Sequence, residues 1–397
     1  MIKSLGNVIR TRKGLILLVA VAVACQAVFP LLGNYSPYHP DSRCYLTMAS
    51  AIAGGKPLSG FPNGYPLILA AFGTLTRQEP LPAGLAVALN CILSIALVLI
   101  AYKLVGFLTD NEKIRLVVAF LLAVSPIQLY FAHKVLTEVP IAFLMAAGSL
   151  LLLKKRHFPA GLLTALGIWI KPSLVLLPLA TLIGIVAFHK KWSMALRFVA
   201  GIMVVYVLAT VLNVAGITAP SNSTEANMLY SIGGKSSTLR IGLICGPQKI
   251  EFMLDEFSQA AQNNPLLAYF SFAVHHPLAY ASQRLDAFVE MWSPLVASRD
   301  TLYPQSPLAK CFRLINTLFF CSSLALGVYV FTRKNREKWE AVYLLLVPVL
   351  SLTVVYVLSF GNRRFSFPCD AYVTALGVFF LSICWQHFLD ARKKTSQ

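Results

Sequence analysis

Long, mostly apolar runs constrain most strongly what this sequence can fold into. Gly14 to Gly33, Leu81 to Leu108, Ser193 to Val214 and Cys369 to Leu389 are each long enough to cross a hydrocarbon core, which takes about 20 apolar residues in a helix. Lipid offers the backbone no hydrogen-bond partners, so such runs must pair internally as helices. With 57% hydrophobic and only 13% charged residues, a soluble enzyme is excluded. The expectation is an all-α polytopic membrane protein.

The chain carries 34 Lys and Arg against 16 Asp and Glu, a net +18 that in a soluble protein would suggest nucleic acid. Position matters more than the sum. With the N-terminus inside, eighteen of these cations fall in short inner segments: Lys3 to Lys13, Lys113 and Arg115, Lys154 to Arg156, Lys190 and Lys191, Arg333 to Lys338, and Arg392 to Lys394. That is the positive-inside pattern, so the surplus needs no nucleic-acid partner. It puts both termini on the cytoplasmic side, and a plasma membrane is the expected location. The N-terminal run passes Cys25 and continues to Leu32, longer than a signal peptide's apolar core, and reads as an uncleaved first span.

Hydropathy and the basic loops together give about ten spans, near 14–33, 82–108, 116–131, 139–153, 158–170, 172–188, 193–214, 308–331, 341–359 and 369–389. Those at 116–131, 139–153 and 158–170 are short, which is tolerable beside a water-filled cavity. All fall in one integral membrane domain over 1–397, with two long outside segments, 34–81 and 215–307. Long ordered loops are where function sits.

In 34–81, Pro40 and a possible Asp41 N-cap precede an apolar face at Tyr45, Met48, Ala49 and Ile52, closed by Gly54-Gly55. A second short helix is expected from Tyr65 to Leu75. In 215–307 a polar Ser221 to Pro247 stretch leads through Asp255 to Asn264 to a helix at Pro277 to Trp292. Leu278, Leu285, Phe288 and Trp292 share a face there, so this helix is expected to lie along the membrane surface. Two of the eight cysteines, Cys44 and Cys245, fall outside and could pair; none has zinc-type spacing. Asn34-Tyr35-Ser36 and Asn222-Ser223-Thr224 match glycosylation sequons, a pattern short enough to arise by chance.

The first outside loop carries His39-Pro40-Asp41-Ser42-Arg43-Cys44-Tyr45 and Phe61-Pro62-Asn63-Gly64-Tyr65-Pro66. This arrangement resembles the GT-C membrane glycosyltransferases, in particular the branch of protein mannosyltransferases and the lipid A aminoarabinose transferase. Thr137-Glu138-Val139-Pro140, Ile170-Lys171-Pro172, Asn362-Arg363-Arg364-Phe365 and His275-His276-Pro277 follow in matching order and sidedness. Two departures stand out: Ser42 occupies the place of that family's usual second acid, and no soluble domain is expected after the last span.

The resemblance implies transfer of a sugar from a polyprenyl-phosphate carrier to an acceptor hydroxyl at the extracytoplasmic face, with inversion. Such a reaction needs a carboxylate to take the acceptor proton and fixed cations for the leaving phosphate. Asp41 is the candidate base, although a helix cap would also explain it. Lys171, Arg363 and Arg364 are candidate phosphate cations, with Lys134 and His133 behind them; each could instead be an interfacial charge. Glu138 could position the sugar, help hold a divalent cation, or favour a helix N-terminus. His39, Tyr45 and Tyr65 are further substrate-binding candidates, and Tyr45, Tyr65 and Trp292 equally suit a membrane-interface belt. His275 and His276 are ligands or plain loop histidines. The acceptor could be a glycan, a lipid or a protein. A lipid-linked oligosaccharide flippase or a noncatalytic homologue are the alternatives, although transporters usually carry internal repeats, and none is visible here.

Overall fold

The computed structural model describes residues 2–32, 36–59, 61–77, 83–219, 265–293, 306–332, 336–359 and 363–395. Among the described residues every regular element is helical. The α-helices are α1 (Ile2–Val28), α2 (Pro40–Ala53), α3 (Gly64–Thr76), α4 (Ala83–Val105), α5 (Glu112–Ala123), α6 (Pro126–Ala132), α7 (Glu138–Leu153), α8 (His157–Ile170), α9 (Leu176–His189), α10 (Trp192–Val214), α11 (Pro265–His275), α12 (Pro277–Trp292), α13 (Pro307–Thr332), α14 (Arg336–Leu358) and α15 (Asp370–Thr395). Short 3-10 turns at Phe29–Leu32, Pro172–Leu174 and Arg363–Cys369 join or extend them.

Seven helical segments are long and apolar enough to cross a membrane. They correspond to the expected spans near 14–33, 82–108, 172–188, 193–214, 308–331, 341–359 and 369–389. The remaining three differ in an instructive way. The 116–131 stretch is α5 and α6, bent by 53° at their junction. Ser125 has extended backbone there and its hydroxyl accepts the Gln128 N–H at 3.3 Å, while Pro126 at the first helical position has no N–H to continue α5. The other two, α7 and α8, have 16 and 14 residues and fall short of a full crossing.

Two contacts set how these short helices sit. Gly161 of α8 and Gly201 of α10 face the other helix's backbone so closely that a Cβ on either would collide with it, at the Phe198 and Phe158 carbonyls respectively. At the opposite end of α8, Gly64 of α3 rests on the Trp169–Ile170 backbone, where a Cβ would sit 2.8 Å away. Buried polar side chains pair across helices, as an apolar surround demands. The Gln26 and Gln128 amides both donate to the Ser94 hydroxyl at 2.9 Å, and Asn90 donates to the Lys134 carbonyl at 2.7 Å. These bonds fix the Lys134–Glu138 turn at the end of the bundle where α2, α3 and the Arg363–Cys369 turn also gather.

α12 departs from its expected orientation. Leu278 and Leu285 are exposed, whereas Gln283, Arg284, Asp286 and Glu290 are buried against the bundle. Trp292 of the same face is buried, so that face is split, and polar side chains share the inward side with Ala287, Met291 and Trp292. Arg284 donates to the carbonyls of Val357, Leu358 and Ser359 at 3.0, 2.6 and 3.0 Å, satisfying the open C-terminus of α14. Ser221 to Asn264 and both sequons' asparagines lie outside the described residues, as does Cys245 of the suggested pair with Cys44.

Candidate functional site

The residue starting α2 is held by a short-range device. His39 has extended backbone, its Nδ1 accepts the Asp41 N–H at 3.3 Å, and its own N–H donates to the Ser42 hydroxyl at 2.8 Å. Ser42 is fully buried in this capping box. The cap is therefore His39 and Ser42, and the Asp41 carboxylate that the sequence offered as a cap is free to point elsewhere.

It points at Arg364. Arg364 Nη2 donates to Asp41 Oδ2 at 2.6 Å, its Nη1 lies 3.3 Å from His39 Nε2, and its Nε lies 3.7 Å from Glu138 Oε1. Lys171 Nζ donates to the same Glu138 oxygen at 3.2 Å. Four side chains far apart in sequence thus form one alternating chain: Asp41, Arg364, Glu138, Lys171. They come from α2, the Arg363–Cys369 turn, the first residue of α7, and the break between α8 and Pro172.

Burial grades along the chain. The Glu138 side chain is 2% exposed and its Oε2 has no hydrogen-bond partner among the described residues. Asp41 is 25% exposed, and only its Oδ2 is held. Burial works against the Lys171 ammonium, but the Glu138 carboxylate, with Tyr356, outweighs it and raises the lysine pKa above its ordinary value. Lys171 Nζ also lies 4.8 Å from the Phe365 ring centroid, and Phe365 stacks on Tyr356 at 4.2 Å. Tyr356 in turn meets the Ser173 hydroxyl at 2.8 Å. Tyr356 and Ser173 were not expected in the site; the only sequence signal was their nearness to Lys171 and the Arg363-Arg364 pair.

The other expected site residues divide. Tyr45 and Tyr65 are buried and packed edge to face at 5.4 Å, so they form the floor rather than an interface belt or an open sugar platform. Burial, with Glu138 nearby, pushes the Tyr45 hydroxyl pKa up, keeping it a neutral donor. Trp292 is buried and stacked on Phe320 at 4.0 Å, which makes it core. Arg363 turns away from Arg364 and donates to the Ser293 carbonyl at 2.6 Å. Lys134 donates to the Ser36 carbonyl and lies over the Tyr130 ring at 5.0 Å, and His133 meets the Leu129 and Gln26 carbonyls at 2.9 Å each. These three brace the loops around the cluster and do not join it. His275 bonds within α11, to Ser271. The divalent cation left open by the sequence finds no suitable donor set. Asp41 and Glu138 both face Arg364, and among the described residues no three His, Cys, Asp or Glu side chains converge.

An apolar groove of about 290 Å³ lies between α8 and α10. Ala165, Trp169, Val205, Tyr206 and Ala209 line it, with Pro62 and with Pro172, the residue that follows Lys171. Tyr206 is exposed on the bundle surface, so the groove faces the surrounding lipid. Asn63 donates to the Ala219 carbonyl and closes its top.

This assembly is that of a multi-pass helical membrane protein with a charged cluster at one end of the bundle. Its fold is similar to that of the Archaeoglobus fulgidus oligosaccharyltransferase, seen in two solved structures. One, tethered by a disulfide to an acceptor peptide containing the NVT sequon, aligns with 95% of this chain at TM-score 0.54 and 13% identity. The other, in complex with Zn and sulfate, aligns with 94% at TM-score 0.50 and 13% identity. This chain spans about half the length of that protein, 50% and 49% in the two alignments. No protein-family model and no curated protein matches the sequence.

Proposed function

We propose that this chain is a GT-C-type glycosyltransferase that moves a sugar from a polyprenyl-phosphate carrier to an acceptor hydroxyl at the extracytoplasmic face of a plasma membrane, with inversion. The observation that carries the reading is the convergence of Asp41, Arg364, Glu138 and Lys171 from four separate elements next to a lipid-facing apolar groove. Buried charges in a membrane protein are costly and, by default, functional. The sequence had singled out all four for this chemistry, and the fold is one that an oligosaccharyltransferase uses.

In this mechanism the acceptor hydroxyl approaches Asp41 Oδ1, the carboxylate oxygen not held by Arg364. Its oxygen attacks the anomeric carbon as its proton passes to Asp41. The bond from that carbon to the phosphate oxygen breaks, and the phosphate leaves with the electron pair. Arg364 and Lys171, fixed beforehand by the two carboxylates, take up the growing negative charge without reorganising. A single displacement inverts the anomeric centre. The prenyl tail lies in the groove between α8 and α10, which brings its phosphate to the Pro172 end, beside Lys171. Glu138, almost fully buried behind them, positions both cations.

Mass spectrometry of polyprenyl-phosphate sugars and surface glycans in cells lacking the protein tests the reading. A carrier-bound sugar should accumulate while one surface glycan, lipid or protein loses that same sugar. Build-up of a complete lipid-linked glycan on the inner leaflet would instead make the protein a flippase.

A further inference from the structure

Arg364 is placed between two carboxylates, at 2.6 Å from Asp41 and 3.7 Å from Glu138, and Lys171 takes the far side of Glu138. Two negative and two positive side chains therefore balance within one cluster. Two acidic side chains converging at the mouth of a membrane bundle would otherwise gather a hard cation, because carboxylate oxygens are what such ions bind. Here the charge that would attract it is already met.

We propose that the Arg364 guanidinium is a resident cation occupying the position between Asp41 and Glu138 that a divalent metal ion would otherwise take, so that this site works without metal. Three features on the page support the assignment. The guanidinium lies between the two carboxylates, hydrogen-bonded through Nη2 to Asp41 and within ion-pair range of Glu138 at 3.7 Å, so one positive charge faces both, as a metal ion's would. The residue after Asp41, Ser42, is buried in the cap of α2 and supplies no further acid. Neighbouring imidazole does not complete a ligand set either: His39 accepts the Asp41 N–H through Nδ1 and lies against the guanidinium of Arg364. A guanidinium keeps its charge at any physiological pH, and unlike a metal ion it cannot be removed by a chelator. It would hold the carboxylates and face the leaving phosphate with one side chain. The inference stands whether or not the protein transfers sugar, since it concerns only what occupies the space between two carboxylates.

Manganese binding to the full-length protein in detergent or nanodiscs, read by electron paramagnetic resonance, tests it. Wild type should leave the spectrum of aqueous Mn²⁺ unchanged. Arg364→Ala, and Arg364→Met as a second variant of closer size, should show a bound Mn²⁺ signal that disappears when Asp41→Asn is added. A bound ion in wild type that is lost in Asp41→Asn would overturn the proposal. So would folded Arg364→Ala and Arg364→Met proteins that both bind none. Where transfer can be assayed, wild type should keep its rate in excess chelator.

Discussion

The two ends of the bundle carry charge clusters that differ in size and burial: two carboxylates and two cations at one end, one carboxylate with a lysine and a histidine at the other. At one end Asp41, Arg364, Glu138 and Lys171 are withdrawn into the protein, Glu138 almost completely. At the other, Lys155 and His189 both pair with Glu340, joining the α7–α8 turn, the end of α9 and the start of α14. That second cluster is exposed at its lysine, with Lys155 46% exposed, while His189 and Glu340 are 15% and 19% exposed. Exposed pairs are screened and contribute about 0–1 kcal/mol, so the Lys155 cluster is a tie between helices. Buried charges cost several kcal/mol to desolvate, which a tie does not justify. The difference between the ends separates a site from a fastening.

Mutations can break or sharpen that contrast. Asp41→Asn removes the proposed base while keeping shape, and should lower the transfer rate by roughly 10²–10⁴; because Arg364 loses one of its two counter-charges, it should also ease unfolding, by less than a change at the more buried Glu138. Glu138→Gln leaves Lys171 and part of Arg364 without their counter-charge; unfolding should become easier by about 3–5 kcal/mol, measured by thermal denaturation in detergent. Lys171→Met should cost roughly 10²–10³ in rate through the lost stabilisation of the leaving phosphate. Ala209→Trp fills the groove and should raise KM for a long-chain donor by roughly tenfold, while a donor of two isoprene units is unaffected; the lost burial corresponds to about two CH₂ groups at about 0.8 kcal/mol each. Glu340→Gln, at the opposite end, should change stability by no more than about 1 kcal/mol and leave transfer intact.

Much of this architecture was legible in the sequence because membrane crossing has a length and polarity requirement that composition alone reports. The seven long spans followed from that requirement, whereas α2 and α3 followed from local helical signals. The bend at Ser125-Pro126 inside the expected 116–131 span was not anticipated because the apolar run continues through it; the proline's missing N–H is a one-residue signal within a strong average. The burial of Gln283, Arg284, Asp286 and Glu290 in α12 was not legible for a deeper reason. Hydrophobic periodicity identifies which residues share a face but not what that face meets, and here Leu278 and Leu285 turn outward while Trp292 of the same face is buried. In the site, residue type singled out Asp41, Glu138, Lys171 and Arg364. It could not separate Arg364 from its neighbour Arg363, because only the turn geometry sends one to Asp41 and the other to the Ser293 carbonyl. Nor could it tell that His39 and Ser42 take over the capping role and release the Asp41 side chain. Tyr45 and Tyr65 illustrate the same limit, since an aromatic near a membrane surface reads alike whether it is belt, platform or floor.

The central claim is that the buried cluster is a catalytic site and the exposed one is not. It is tested most directly by returning two single variants to cells that lack the protein and measuring the carrier-bound sugar and the affected surface glycan by mass spectrometry. Glu340→Gln should restore both to wild-type levels, and Asp41→Asn, present in the membrane in equal amount, should restore neither. Restoration of the glycan by Asp41→Asn would contradict the account.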